Sequence, residues 1–281
     1  MSGSSWKSHI PHTMRIMASA IRQACTRRDY DSSHYWKQRA SREGQSSVMW
    51  NNACYNDMYR LRQRAILASY VHPLDNGAEI LDVGCGIGVV AKMLVDLNPH
   101  VSVDAVDFPE MIAVARRASA VDRVRYIASS AEAYSDPGKR YALVVSSGCY
   151  SAIRDLAAMK RAMTNMAGMT ADGGRVLMID PFHRCNLLAR AKFGSRDVVQ
   201  FMEDLGFQLI EKNGVLFWPY RMWLANCNYP DRKVQRCFET GERWRRWMGP
   251  HFWADYKILS FQKHVQPSEI PHGPRPQPIA A

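Results

Sequence analysis

Two aspartates, three glycines and one histidine carry residue types and spacings able to do chemistry. Asp82 sits inside an apolar run, Ile80-Leu81-Asp82-Val83, and is followed by Gly84, Gly86 and Gly88 at alternate positions. Val89, Val90, Met93, Leu94 and Leu97 then recur at helical spacing. This predicts a buried strand, a tight glycine turn and an amphipathic helix. Such a bend lets a ligand lie against main-chain N–H groups at a helix N-terminus. A second apolar run, Val101, Val103, Ala105 and Val106, ends at Asp107, nineteen residues after Gly88 (107 − 88). A carboxylate placed there can accept both hydroxyls of a ribose. The glycine order is D-x-G-x-G-x-G, which departs from the G-x-G-x-x-G dinucleotide fingerprint and disfavours a nicotinamide oxidoreductase.

With Asp82, the alternating glycines and Asp107 in register, the chain resembles the class I S-adenosylmethionine-dependent methyltransferases over residues 35 to 262, most closely from 79 to 150. The resemblance implies S-adenosyl-L-methionine as cofactor, held by Asp82, Gly84, Cys85, Gly86, Gly88 and Asp107. Cys85, between two loop glycines, reads as a small packing residue rather than a nucleophile. Phe108 and Met111 flank the adenine in this reading. Relatives place an acid-alanine pair after the third strand; here Ser130 stands at the acid's position, followed by Ala131 and Glu132, so either Ser130 or Glu132 meets the adenine amine. In the family, N-terminal helices fold over the methyl donor. That makes Tyr35, Trp36 and Arg39 candidates to cover the sulfonium and grip the methionine carboxylate, since an aromatic face attracts a cation and Arg binds carboxylate in a bidentate way. An amphipathic helix that merely packs on the core accounts equally for each of them.

Transfer to a hydroxyl also requires removal of a proton. His183, three residues past the fifth strand, is the first candidate base, because histidine titrates near neutrality. Asp180 is the alternative and Tyr150 a possible orienting hydroxyl. Ser147 to Tyr150 follow the fourth strand, at the carboxyl edge where parallel sheets bind ligands. This loop has no proline, whereas methyltransferases acting on exocyclic amines of nucleobases carry N/D/S-P-P-Y/F there. An amine acceptor needs no strong base. Nothing in the sequence calls for a metal.

The elements that must position these groups follow from hydrophobic period and turn residues. The fold expected is α/β, a Rossmann-like seven-stranded, mostly parallel sheet with helices on both faces. Residues 1–33 form a basic tail, 34–262 the methyltransferase domain and 263–281 a proline-rich disordered tail. Within the domain, 34–75 is a lid, with a helix from Asn56 that turns Met58, Leu61, Ala65 and Leu67 inward. The third strand is Val124 to Ile127 and the fourth Tyr141 to Val145. Ile153, Leu156, Met159, Met163 and Met166 mark a core-facing helix. Asp172-Gly173-Gly174 reads as a turn before a fifth strand, Arg175 to Ile179. Ser195 reads as an N-cap and Gly206 as the C′ residue of the next helix. The sixth strand is Phe207 to Ile210 and the seventh Tyr256 to Phe261. Residues 212–255 form a cap insertion rich in Trp and Tyr, suited to cover an acceptor pocket or a partner surface.

The chain has 281 residues, 47% of them apolar, and a mean hydropathy of −0.32, as expected of a soluble domain. No run of eighteen apolar residues occurs. Seven scattered cysteines without C-x-x-C argue against a disulfide framework or zinc site and for a reducing compartment, the cytoplasm. The net charge of +11 invites nucleic acid or an anionic membrane. Five of those charges, Lys7, Arg15, Arg22, Arg27 and Arg28, sit in an acid-free start that suits either a transit peptide or a flexible bacterial N-terminus.

The acceptor expected is a small molecule or a glycan. The stretch VMWNNACYNDMYRLRQ, residues 48–63, gives the chain a look similar to bacterial methyltransferases that decorate polysaccharides and nodulation factors. That resemblance implies a glycosyl hydroxyl, such as that of a deoxysugar. A small-molecule N-methyltransferase is a further alternative. An RNA methyltransferase is the runner-up, favoured by the isoelectric point near 9.4 but requiring a contiguous basic face, so nucleic acid is not the expected partner. A cofactor-binding module without turnover is the non-enzymatic alternative. The segment Arg243–Trp247 is basic and amphipathic, fit for peripheral contact with anionic lipid or for a plain surface helix.

Overall fold

Ile80, Leu81, Asp82 and Val83 are buried together, as a strand covered on both faces must be. They belong to β1 (Glu79–Val83), an interior strand of a seven-stranded sheet in a computed structural model that describes residues 36, 38–39, 48–153, 155–183 and 193–265. The basic segment 1–33, Tyr35, Arg184 and the proline-rich stretch from Gln266 lie outside the described residues. Among the described residues no helix is long and apolar enough to cross a membrane.

The first element with described bounds is α1 (Ala53–Val71), capped by Asn52, whose side chain accepts the Tyr55 N–H at 2.7 Å. After β1 come α2 (Val89–Leu97), β2 (Ser102–Asp107), α3 (Pro109–Ala118) with proline in its first turn, and β3 (Val124–Ala128). β4 (Tyr141–Ser147) leads through a 3₁₀ turn, Tyr150–Ala152, to α4 (Leu156–Met169), capped by Asp155. β5 (Thr170–Asp180), α5 (Ser195–Asp204), β6 (Phe207–Phe217), α6 (Trp218–Leu224), α7 (Asp231–Met248) and β7 (Ala254–Lys263) complete it.

The strand order is β3-β2-β1-β4-β5-β7-β6. β3 to β5 pair in parallel; β7 runs antiparallel between β5 and β6. One apolar core, with Leu67, Ile80, Leu94 and Ile112, fills the α1–α3 and α7 face. The other, with Leu81, Tyr141, Met159, Met163, Met166 and Phe261, fills the α4–α5 face, so the methionine stripe is core. The order reverses between β1 and β4, and the carboxyl ends of those strands open the crevice in which such sheets hold ligands.

Several boundaries differ from the sequence expectation. α1 begins at Ala53, and Leu61 is 64% exposed while Tyr55, Tyr59, Gln63, Leu67 and Tyr70 face inward. The polar members of that face gain partners across the fold: Gln63 donates to Ser147 Oγ at 2.8 Å, and Tyr70 reaches Glu211. Asp172–Gly174 is a bulge inside β5, where the register against β4 slips between Tyr141 and Leu143, rather than a turn before it. Gly194, not Ser195, is the α5 cap; its N–H is held by Asp197 at 2.8 Å. β6 runs on to Phe217 and β7 starts at Ala254, because the two form one long antiparallel ribbon. The cap insertion is therefore 218–253, shorter at both ends than 212–255.

Candidate active site

The glycine bend is a place where side chains will not fit. Gly84 and Gly86 have φ of 75° and 58°, left-handed values that favour glycine. A Cβ on Gly84 would lie 2.4 Å from Cys149 Cβ, and one on Gly86 would lie 3.1 Å from Val48 Cγ1. Cys149 and Val48 thus wall the bend, and its amides are drawn towards β2. Gly84 and Cys85 both donate to the Val106 carbonyl, at 2.8 and 3.1 Å. Gly86 N–H donates to Asp107 Oδ2 at 2.7 Å, and Phe108 N–H to Oδ1 at 2.7 Å. Each carboxylate oxygen keeps a lone pair for a further donor. Burial pushes the Asp107 carboxyl up to about 6, the two amides opposing it. Met111 is buried, with its methyl 4.0 Å from the Cβ position of Gly86.

Asp82 is fully enclosed on β1, and neither carboxylate oxygen completes a hydrogen bond with a protein group. Burial first, and then the nearby Asp107 charge, raise its pKa to about 7, while the Ala91 amide and Arg60 work the other way. An unpaired buried carboxylate is costly and marks a position where a donor is missing.

Arg60 on α1 is its counterpart, and sequence reasoning passed over it. Its Nη1 donates to Gln63 Oε1 at 2.6 Å, yet its buried Nε has no partner. Burial lowers its pKa, while Tyr59, Tyr256 and Asp82 hold it up. A guanidinium with one unpartnered N–H and a carboxylate with no partner, each sensing the other's charge, match the two ends of an amino-acid zwitterion. The available signal was Arg60 and Gln63 sharing a helical face with Tyr59 and Leu67. Polar residues on an apolar stripe are groups awaiting partners.

The remaining loops meet at Cys149. It packs against the Gly84 bend, and its thiol is pushed well up by burial first and then by the Asp180, Asp107, Glu132 and Asp82 charges. Ser130 opens that turn, its carbonyl accepting the Ala133 and Tyr134 amides; Ala131 lies within it, and the Glu132 carbonyl accepts Asn165. Ser147 ends β4 beneath α1.

Of the candidate bases, Asp180 is buried and accepts from Ser151 N–H at 3.2 Å, Ser151 Oγ at 2.7 Å and Ser146 Oγ at 3.4 Å. Burial lifts it to about 6 against those bonds. Tyr150 is wholly enclosed in the α4-side core and its hydroxyl has no partner. His183 Nε2 lies 2.7 Å from the Asp255 carbonyl. A proton there leaves the lone pair on Nδ1. Asp255 is clamped by Arg221 at 2.7 and 2.9 Å; burial raises its pKa, but Arg221 and His183 bring it below the usual range. The Arg221 guanidinium lies 5.9 Å from the Trp50 ring, and Trp50, Tyr59 and Tyr256 meet edge to face or tilted at 5.6–5.9 Å. None of Arg221, Asp255, Trp50 or Tyr256 was singled out as a site residue in the sequence, since their partners lie on other elements, from 34 positions away (255 − 221) to 197 (256 − 59). Arg39 donates to the Met49 carbonyl at 2.8 Å and stacks over Trp36 at 5.8 Å.

Residues 80–174 match the family model described as a methyltransferase domain. A tRNA1(Val) (adenine(37)-N6)-methyltransferase of Pedobacter heparinus is 29% identical over 154 residues, 48% of this chain and 65% of that relative. The chain thus spans less than two thirds of that relative's length. The N-methyltransferase NodS of Bradyrhizobium japonicum WM9, solved with S-adenosyl-l-homocysteine, is similar in fold with a TM-score of 0.56 at 13% identity, over 83% of this chain and 99% of that one. An O-methyltransferase family protein of Burkholderia thailandensis gives 0.51 at 13% identity, over 76% of this chain and 59% of that one. Fold likeness thus extends to enzymes of both acceptor types.

Proposed function

We propose that this chain, which carries a methyltransferase domain of the S-adenosylmethionine-dependent class, moves a methyl group to a hydroxyl of a small or glycan-type acceptor. The observation that carries the donor half is the orphaned pair, Asp82 and Arg60, on either side of a bend that tolerates no side chain. The residues present fit the cofactor. Asp82 would take the ammonium and Arg60 the carboxylate of its amino-acid end, Asp107 the ribose hydroxyls, and Met111 and Phe108 the base, with Ser130 or Glu132 at its edge. In this assignment Arg60 replaces Arg39, whose guanidinium is engaged with the Met49 carbonyl.

Bound there, S-adenosylmethionine supplies a methyl on a sulfonium whose departure leaves a neutral thioether. No oxyanion has to be stabilised, so the tasks of the chain are alignment, exclusion of water and proton removal. α1 excludes water by closing over the β4 end through Gln63 and Ser147. His183, with Nδ1 free of the Asp255 carbonyl, is the proposed proton acceptor, and the Arg221–Asp255 pair is its positioning element. Trp50, Tyr59 and Tyr256 supply aromatic surface to lie against a sugar ring.

A nucleobase acceptor is disfavoured by the loop after β4. It lacks the proline pair, and the aromatic residue at its end, Tyr150, is enclosed in the core and presents no face to stack on a flipped base. An amine acceptor is the second reading, favoured by the electron-rich rings at the rim. The test is incubation with radiolabelled S-adenosylmethionine and a cell extract split into glycan, lipid, RNA and small-amine fractions. Label in glycan or glycolipid is expected. Counts confined to RNA or to amines overturn the hydroxyl assignment. Absence of donor binding by calorimetry overturns the enzyme reading itself.

A further inference from the structure

The outer face of α7 has no use in the site just described. Val234, Phe238, Gly241, Glu242 and Arg245 form the inner face of this 18-residue helix. Arg232, Arg236, Arg243 and Arg246 are exposed and fall within roughly 80° of one another at 100° per residue, opposite that inner face. The acids beyond the first turn are spoken for elsewhere: Glu239 pairs with Arg62 at 2.8 Å, and Glu242 with the buried Arg245 at 3.0 Å. Arg245 therefore leaves the cationic segment expected from the sequence, and within the arc of the four exposed arginines Glu239 is the one acid, its charge met by Arg62.

At the C-terminal end of this stripe the surface turns apolar. Trp247 is 86% exposed, Phe252 74%, Trp244 51% and Met248 38%. Trp244 and Phe252 share one knob, and Trp247 and Met248 follow Trp244 by three and four residues on the same helix. Trp244 lies 6.4 Å from Phe217, Phe217 lies 6.0 Å from Trp253, and Phe252 lies 5.4 Å from Trp253, with Trp218 stacked on Trp253 at 6.2 Å beneath. At such exposures Trp247 and Phe252 stand out of the surface rather than line a groove, which is the shape of a wedge and not of a strand-binding channel. Residues this large and apolar are costly to leave in water without a partner phase.

We propose that this knob and the arginine stripe form a docking surface for an anionic phospholipid bilayer. Trp247, Phe252 and Met248 enter the headgroup–acyl boundary while Arg243 and Arg246 meet lipid phosphates. Position supports the assignment. Phe217 pairs with Ala254 three residues beyond Asp180↔Lys257, so the knob stands past the carboxyl edge of the sheet, the edge that carries the bend. Four strand spacings separate β6 from β1, on the order of 20 Å. A docked molecule thus presents its ligand-binding edge towards the lipid surface.

Sedimentation with vesicles of phosphatidylcholine alone, and of phosphatidylcholine with phosphatidylglycerol, tests this without any methyl transfer and so stands apart from the catalytic reading. The intact chain is expected to pellet with the anionic vesicles and release at high salt. Arg243→Gln with Arg246→Gln should weaken binding about thirtyfold, at roughly tenfold per 1.4 kcal/mol and about 1 kcal/mol per arginine near the surface. Trp247→Ser, exposed and neutral to folding, should abolish the blue-shifted fluorescence gained with vesicles. Equal binding to both vesicle types, no binding to either, or preference for a single-stranded RNA over anionic vesicles overturns the proposal.

Discussion

Asp82 and Arg60 pose opposite costs on the free protein and the loaded one. Each is buried without its full complement of partners, so the empty site is strained electrostatically. Arg60→Met should weaken donor binding by about ten- to a hundredfold, the range for a charged hydrogen bond worth roughly 1.5–3 kcal/mol, while leaving the thermal midpoint of the empty protein equal or higher. Calorimetry with a parallel melt reads both; a loss of stability equal to the loss of binding contradicts the assignment. Asp82 also fixes a pH trend. Its native pKa, about 7, exceeds the ordinary 3.8, so between those values the native state holds a proton that the unfolded chain has released. Stability of the empty protein is thus full below about pH 4 from this group and falls as pH rises to about 7. Asp82→Asn should flatten that fall, and affinity for a cationic donor should climb across the same interval in the intact chain. Gly84→Ala meets both a φ of 75° and Cys149, and should cost about 2–4 kcal/mol. Adding Cys149→Gly should recover the steric share alone, as urea melts of the pair would show. At this scale the glycines and both aspartates were legible because their spacing is local. Arg60 was not, because its meaning depends on a carboxylate on another element.

α1 shows what hydrophobic period reads and what it misreads. A reading by apolar letters turns Leu61 inward, but the helix buries Tyr59, Gln63 and Leu67 because Ser147 and the Trp50–Tyr256 rings offer those side chains partners. Leu61→Glu should therefore change stability by less than about 0.5 kcal/mol, whereas Tyr59→Ala should cost about 3–5 kcal/mol in denaturant titrations. The central strands and the methionine-rich helix were legible, since elements covered on their apolar faces announce themselves by composition alone. α7 was legible as amphipathic, yet which of its arginines is inside was not. Arg245 is held by Glu242, three residues earlier, and by the Pro250 carbonyl at 2.8 Å. Glu242→Ala strands that charge in the interior and should destabilise by about 3–5 kcal/mol. The same change on exposed Arg243 should do almost nothing to the melt.

For the molecule as a whole, the class of fold followed from alternating strand and helix patterns, whereas the strand order came only from the structure. Of the β6–β7 ribbon only Phe207 to Ile210 and Tyr256 to Phe261 were legible. Its middle residues, Glu211 to Gly214, are polar on the exposed side and read as loop until the partner strand is known. Donor binding should stabilise the entire sheet by about 2.7 kcal/mol at a hundred times the dissociation constant, and so raise its thermal midpoint, because the bend, α1 and β2 are tied into one cooperative unit. Asp107→Ala should erase that gain in a scanning-fluorimetry titration.

Among the described residues β7 is the last strand in sequence but the penultimate one in the sheet, and β6 is bonded to β7 alone. During synthesis, then, the emerging polypeptide can assemble β1 to β5 as each leaves the ribosome, while β6 must wait. Until Ala254 to Lys263 have cleared the exit tunnel, two bare strand edges face one another across an empty slot. Emergence of Ala254 to Lys263 is thus the event that zips the sheet shut, and a message broken off before them would leave two adhesive edges bare.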